Sequence, residues 1–326
     1  YFTQEGLLAS GSSAVVSRYR SLNDNWTELQ VPNYKTTADI LATTFFGDVY
    51  FVTGTPNPAP AADDILSTIR ACPKGTFPAF GSCGQMALID NPVSCVQTAA
   101  ELRGAYAAAA NLVFFVGYEP TPAGLGNVVI AAWDGNDLKE CGGIEFKGAA
   151  FYDNGPYDLK VPVEKLGPAG LNDVHGIGNA DVWAVGDRAT VYHFTGPVAG
   201  WQQIFPEIDL PADSGFGISN DILSVWVDPE SGVHMVGVKY TETPNCKIPF
   251  YLHAVMTGAG TYEFNNYMEF TAYETCDPNL DRTSLEDVVV DPDSGNVYAF
   301  GWAWSQGPGG QDMSLGLVMR ITRPAP

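Results

Sequence analysis

The sequence predicts an all-β fold of repeated four-stranded antiparallel units, a β-propeller of six blades with five or seven as the alternatives. Three observations predict it. An apolar phrase ending in glycine recurs at Val113 to Gly117, Val182 to Gly186, Val233 to Gly237 and Val297 to Gly301, with weaker copies at Tyr50 to Gly54 and Leu7 to Gly11. A second apolar strand starts 10 to 12 residues before five of these phrases, at Ile40, Leu102, Leu171, Ile222 and Leu285. A third strand and a more polar fourth then follow in most units. Repetition at tens of residues in β-rich sequence means equivalent units that stack or close on one another, and a polar outer strand blunts the edge that each unit presents.

Each element has its own signal. The first and second strands are joined by turn residues, most clearly Asp228-Pro-Glu-Ser-Gly232 and Asp291-Pro-Asp-Ser-Gly295, which mark hairpins. Third strands are read at Val15 to Tyr19, Val128 to Trp133, Val191 to Phe194, Phe250 to Met256 and Leu317 to Ile321. Fourth strands are read at Trp26 to Leu29, Ile144 to Phe146, Trp201 to Ile204 and Tyr262 to Phe264. The run Ala99 to Ala110 is helical by composition, but its place in the repeat makes it a first strand. The first unit lacks an inner strand and the last an outer one, and Tyr1 to Glu5 is expected to supply the missing outer strand.

The 326 residues suffice to bury roughly 75% of the unfolded surface, so no metal or partner is needed for a core. The repeat runs from end to end, which predicts one domain over 1–326 with a Cys/Pro-rich insertion at about 56–95. Acidic residues number 37 against 16 basic ones, a formal charge of -21, which repels nucleic acid and anionic membrane surfaces and suits an extracellular or salty medium. Six cysteines with no CxxC spacing argue against thiolate metal sites and for disulfides in an oxidising compartment. Cys246 with Cys276 is the expected pair, both lying in one repeat; Cys72, Cys83, Cys95 and Cys141 allow three connectivities, of which Cys72 with Cys83 and Cys95 with Cys141 is preferred. No run of 18 apolar residues spans a membrane. A chain starting at Tyr1 is expected to have lost a signal peptide, giving a secreted, periplasmic or cell-surface protein.

The segment from Leu171 to Gly196, followed by Trp201, carries Leu-Asn-Asp-Val-His-Gly, Asp-Val-Trp-Ala-Val-Gly-Asp and Val-Tyr-His-Phe-Thr-Gly in order. It resembles the blade repeat of secreted bacterial propeller proteins, approximately L-x-D-V-x-G-x-x-x-x-D-V-W-A-V-G-D-x-G-x-I-x-H-x-x-G and then W. The match is recognisable again at 222 to 264 and 285 to 321 and faint before residue 120. The resemblance, to photosystem-assembly-factor-like and related surface propellers, implies the fold, the compartment and a binding or scaffolding role. It carries over no catalytic residue.

Asp173 and Asp287 occupy equivalent first-strand positions, with Ser224 between them and Gly104 and Ala42 in the remaining units. Facing a channel, with His175 nearby, they form an acidic ring able to hold a cation or a sugar hydroxyl; the plainer reading is that they accept backbone amides and fix blade to blade. Asp291 and Asp293 precede a glycine, which offers a weak calcium reading beside the preferred one of a type I turn. No other cofactor is implied. His175, His193, His234 and His253 all fall in two neighbouring units on four different strands, which disfavours a metal or catalytic cluster. Trp302 and Trp304, with Phe77 and Phe80 in the insertion, are the candidates for meeting a partner. The sequence thus predicts a non-enzymatic binding or structural protein in an extracellular or envelope assembly. A sugar-binding propeller is the first alternative, and a lyase or hydrolase using Asp173 or Asp287 with His175 the second.

Overall fold

A computed structural model describes residues 170–204, 216–241, 246–258, 261–276, 283–306 and 312–322, together with residue 100 and the strands of residues 1–169. The chain forms two compact units, Tyr1–Gly170 and Leu171–Pro326. In the first, β1 (Phe2–Thr3), β2 (Gly6–Gly11), β3 (Val15–Arg20) and β4 (Asn25–Gln30) make one antiparallel sheet in chain order. A second holds β5 (Ile40–Phe46), β6 (Val49–Gly54), β7 (Ser67–Pro73) and β8 (Gln97–Thr98). A third holds β9 (Glu101–Ala109), β10 (Leu112–Pro120), β11 (Gly126–Trp133) and β12 (Leu159–Pro162).

In the second unit β13 (Leu171–Gly176), β14 (Val182–Gly186), β15 (Val191–Phe194) and β16 (Trp201–Gln203) form the fourth sheet. The fifth is β17 (Asn220–Asp228), β18 (Gly232–Tyr240), β19 (Lys247–Gly258) and β20 (Thr261–Glu269). The last has three strands, β21 (Ser284–Val290), β22 (Val297–Gln306) and β23 (Asp312–Ile321). Every recurring phrase is therefore a second strand, and Ala99 to Ala110 contains a strand, as the repeat predicts. Within this unit β13 and β14 pack on β17, and β17, β18 and β19 pack on β21.

Four details differ from the sequence reading. Phe2–Thr3 pairs with Gly6 and Leu7 as the first strand of the first sheet, where the sequence reading gave this segment to the last one; a two-residue strand next to its own turn closes a hairpin at far less entropic cost than a distant pairing. The fourth strand of the third sheet is Leu159–Pro162, which pairs with Asn127 to Ile130; Ile144 to Phe146 lies outside the described residues. Ser67–Pro73, inside the 56–95 insertion, is the third strand of the second sheet and pairs with Val49–Gly54. Its Cys- and Pro-bearing composition hides it. The fourth difference is in register: each first strand after the first sheet carries a β-bulge.

In those five sheets a residue of the first strand beside the glycine that ends the phrase has no partner opposite, Leu41, Arg103, Asn172, Leu223 and Glu286, and β9 skips Ala108 as well. A bulge bends the strand and brings its backbone onto the partner. A Cβ on Gly237 would sit 1.9 Å from the Asp221 carbonyl oxygen, on Gly117 1.9 Å from that of Glu101, and on Gly301 2.0 Å from that of Ser284. No side chain fits there, which is the physical reason the phrase ends in glycine.

Apolar side chains of neighbouring sheets fill the space between them. Trp183, Val185 and Val191 meet Ile222, Met235, Phe250 and Leu252 in one cluster, and Val236 and Tyr251 meet Leu285, Val288 and Ile321 in the next. Each fully buried aliphatic side chain of this kind contributes about 1.5–3 kcal/mol. The Cys246–Cys276 disulfide forms as expected and flanks an isolated bridge between Lys247 and Thr275. Cys72 lies on β7, and Cys83, Cys95 and Cys141 lie outside the described residues.

Gly237→Ala should lower stability by about 2–3 kcal/mol, read as a lower urea midpoint with an unchanged slope. The opposite is expected at the turn after β14. Arg188 and Ala189 have φ of 59° and 56°, and the blade pattern that the chain resembles has glycine where Ala189 stands. Ala189→Gly should raise stability by about 0.5–1 kcal/mol in the same measurement, the relief of a left-handed alanine exceeding the entropy that glycine adds to the unfolded chain.

Candidate functional site

In the second unit the residues that follow the bulges, Asp173, Ser224 and Asp287, meet. Ser224 Oγ on β17 lies 2.8 Å from Asp173 Oδ2 on β13 and 3.1 Å from Asp287 Oδ1 on β21. Asp173 also accepts the amides of Val174 (2.8 Å) and, across the sheets, Val225 (3.0 Å). Asp287 accepts the amide of Val288 at 2.8 Å. Two residues beyond Asp173, the Nδ1 of His175 accepts the Val227 amide at 3.0 Å while its ring stacks on Trp226 at 4.1 Å between centroids.

This arrangement has a simple cause. β17 is the edge strand of its sheet, so alternate amides, at 225 and 227, point away from its ladder and need acceptors. Asp173 and His175, spaced by two on one face of β13, supply them. The four sequence candidates Asp173, Ser224, Asp287 and His175 are thus brought together, in the cementing geometry given as the plainer reading.

Their surroundings set their protonation. Burial, reinforced by the charge of Asp287, pushes the Asp173 carboxyl up to about 7 against the pull of its hydrogen bonds from Val225, Ser224 and Val174. Asp287 is exposed along one side, yet the protein crowded about its carboxyl raises it as well. Burial lowers His175 to about 3, so its ring is neutral and accepts through Nδ1.

Two further networks escaped the sequence reading. Asp181, just before β14, accepts His193 Nε2 at 2.8 Å, Trp183 Nε1 at 3.0 Å and the hydroxyl of Tyr262 from the neighbouring sheet. Trp183 and His193 are cross-strand partners and stack at 4.1 Å. Burial opposes ionisation of Asp181, but the hydrogen bonds from His193 and Tyr262 prevail and hold it below the usual carboxylate range. In the fifth sheet the same positions hold His234 and His253, again cross-strand partners, stacked at 4.7 Å.

Gly232 stands where Asp181 does, and His253 Nε2 turns instead to the Ser231 carbonyl at 2.6 Å. A buried chain follows: the Tyr251 hydroxyl meets His234 Nδ1 at 2.7 Å, His234 Nε2 meets Ser231 Oγ at 2.8 Å, and Ser231 donates to Asp228. His193, His234 and His253 are therefore engaged in internal hydrogen bonds and are buried. The signal for both networks was the cross-strand pairing of each third-strand His with the second residue of the phrase.

The remaining candidates lie apart. Trp302 on β22 is exposed and donates Nε1 to Glu286 Oε2 at 3.0 Å. Trp304 lies on the same strand with its side chain outside the description, as do Phe77 and Phe80 altogether. Asp291 caps its own turn: it accepts the amide of Asp293 at 3.1 Å and the Ser294 hydroxyl, whose hydrogen bond holds it below the usual carboxylate range. Asp293 is exposed in that turn. Cys246, Glu274 and Cys276 bring possible ligand atoms within 4.8 Å, but the two cysteines are the disulfide. No helix among the described residues is long and apolar enough to cross a membrane.

No protein-family model and no curated protein matches the chain. Among solved structures it is similar to YCF48 bound to D1 peptide, at 14% identity and a TM-score of 0.40, over 87% of this chain and 66% of that one, just under two thirds of its length. It is also similar to a GH43 beta 1,3 galactosidase with galactodeoxynojirimycin, at 8% identity and a TM-score of 0.40, over 95% of this chain and 94% of that one. A second GH43 beta 1,3 galactosidase is similar at 7% identity and a TM-score of 0.38, over 93% of this chain and 72% of that one.

The Asp181 network makes a prediction about acid stability. A carboxylate held below its unfolded value of 3.8 stabilises the fold above that pH and loses the contribution as pH falls through the folded value. Asp181→Asn should lower stability at neutral pH and make the acid limb of the stability curve, below about pH 4, shallower than in the parent, measured by urea unfolding at a series of pH values.

Proposed function

We propose that the chain is a single six-bladed β-propeller domain, secreted and disulfide-bonded, that binds a protein partner in an extracellular or envelope assembly and performs no covalent chemistry. One observation carries the reading. The residues best suited to acid–base work, Asp173 and His175, have their acceptor atoms committed to the Val225 and Val227 amides of the adjoining sheet. Groups so placed tie one sheet to the next, which accounts for their positions without a reaction.

The compartment rests on the Cys246–Cys276 disulfide, which an oxidising medium maintains. Contact with the partner falls to loops on a rigid scaffold and to exposed apolar side chains, of which Trp302 and Val318 lie on the last sheet. The excursion between β7 and β8, residues 74–96, rich in Cys and Pro, is the first candidate for partner choice, with Phe77 and Phe80 as its anchors. Calcium at Asp291 and Asp293 is not part of the reading.

The test is co-sedimentation of the oxidised protein with protein-rich and polysaccharide-rich fractions of envelope or matrix from its own source. Retention by the protein fraction is expected, abolished by prior proteolysis of that fraction and by trimming 74–95. Retention by polysaccharide alone, competed by free sugar, overturns the reading in favour of a lectin, for which exposed Trp302 is the natural stacking surface.

A further inference from the structure

A hydroxyl has one hydrogen, and Ser224 faces two carboxyls. Its Oγ lies 2.8 Å from Asp173 Oδ2 and 3.1 Å from Asp287 Oδ1, and its single O–H serves one of them well. With both carboxyls ionised, the other contact sets oxygen lone pairs against a negative charge, and two like charges are bridged by one serine. One added proton resolves this. It gives the row a second hydrogen, so that one carboxyl donates to Ser224 Oγ while Ser224 donates to the other.

We propose that Asp173, Ser224 and Asp287 hold one proton between them in the folded protein at neutral pH, making the tie between the fifth and last sheets a pH-sensitive device that tightens in mild acid and slackens in alkali. The proton belongs to the row and not to either residue. The crowding that raises both carboxyls acts in the same direction.

The other titratable groups on the elements packed around the row have partners of their own, while the buried Nε of Arg188, in the turn packed on β17, has none. His175 on β13 accepts from Val227, and Asp221 on β17 accepts the Arg188 amide. Asp228 at the end of β17 accepts from Ser231, and His234 on β18 meets Ser231 and Tyr251. Lys239 on β18 pairs with Glu269, Glu286 on β21 accepts from Trp302, and Asp187 after β14 accepts from Asn172. Burial raises Asp221 too. His175, lowered to about 3, acts oppositely, its contribution growing as pH rises to 6.5. All these groups remain in variants of the row, so a difference between parent and variant isolates the shared proton.

The direction follows from linkage. A carboxyl raised from 3.8 to about 7 contributes fully below about pH 4, progressively less as pH rises, and nothing above about pH 7. Within that window the parent's folding constant should fall by up to about tenfold per pH unit relative to the Asp173→Asn/Asp287→Asn double variant.

Refolding at pH 6 in buffers of different ionisation enthalpy, followed by calorimetry, should show the parent taking up close to one more proton than the Asp173→Asn/Asp287→Asn double variant, whose amides take up none. Equal uptake by two folded proteins overturns the proposal. If that variant does not fold, the native parent decides by NMR titration of its aspartate carboxyl carbons. A coupled pair with a midpoint near neutrality supports the shared proton, and midpoints for all aspartates at or below about 4 overturn it.

Discussion

The extra residue in each bulged first strand is the constraint on which the rest of the described structure depends. By inserting one residue opposite none, the strand brings its backbone against the second strand so closely that only glycine is tolerated at Gly117, Gly237 and Gly301. It also resets the two-residue alternation, so the residue after the bulge is directed toward the adjoining sheet. A glycine that looks like a turn signal in sequence is therefore a packing requirement inside a ladder. Without the bulge Asp173 would not reach the amide of Val225, nor Ser224 its two carboxyls.

That redirection answers a problem every unit of such a repeat faces. A first strand has a ladder on one side only, and its other edge carries amides with no partner in their own sheet. Between the fourth and fifth sheets the answer is a lacing of side chains, Asp173 to Val225 and His175 to Val227, beside the Asn172 amide donating to the Ile222 carbonyl at 3.0 Å. Bulge residue, post-bulge residue and the residue two beyond each reach the neighbouring strand. Apolar packing between the sheets supplies most of the stability, and the lacing fixes their register.

Periodic features were legible in the sequence, and non-periodic ones were not. The phrase from Val233 to Gly237 and the equivalence of Asp173, Ser224 and Asp287 recur at fixed offsets, and the disulfide between Cys246 and Cys276 was read from two cysteines within one repeat. The bulges are invisible because one inserted residue leaves an apolar strand apolar. Ser67–Pro73 was missed because Cys72 and Pro73 disguise a strand as loop, and Leu159–Pro162 because its partner lies beyond a long connection. Asp181 and Tyr262, 81 residues apart, needed the sheets to be placed side by side before a shared hydrogen bond had meaning.

The sequence of residues along the row is itself informative. Lacing an edge with aspartate satisfies amides but brings a negative charge into crowded surroundings, in a chain whose formal charge is already -21. Three consecutive aspartates would place three carboxylates side by side, each raising the next. Ser224 in the middle position keeps the hydrogen-bonding capacity and omits one charge, while the equivalent positions of the first unit, Gly104 and Ala42, carry no charge at all. Charge in the row is thus admitted only where a hydroxyl separates it, and the same economy makes a proton, rather than a counter-ion, the smallest addition that satisfies every oxygen there.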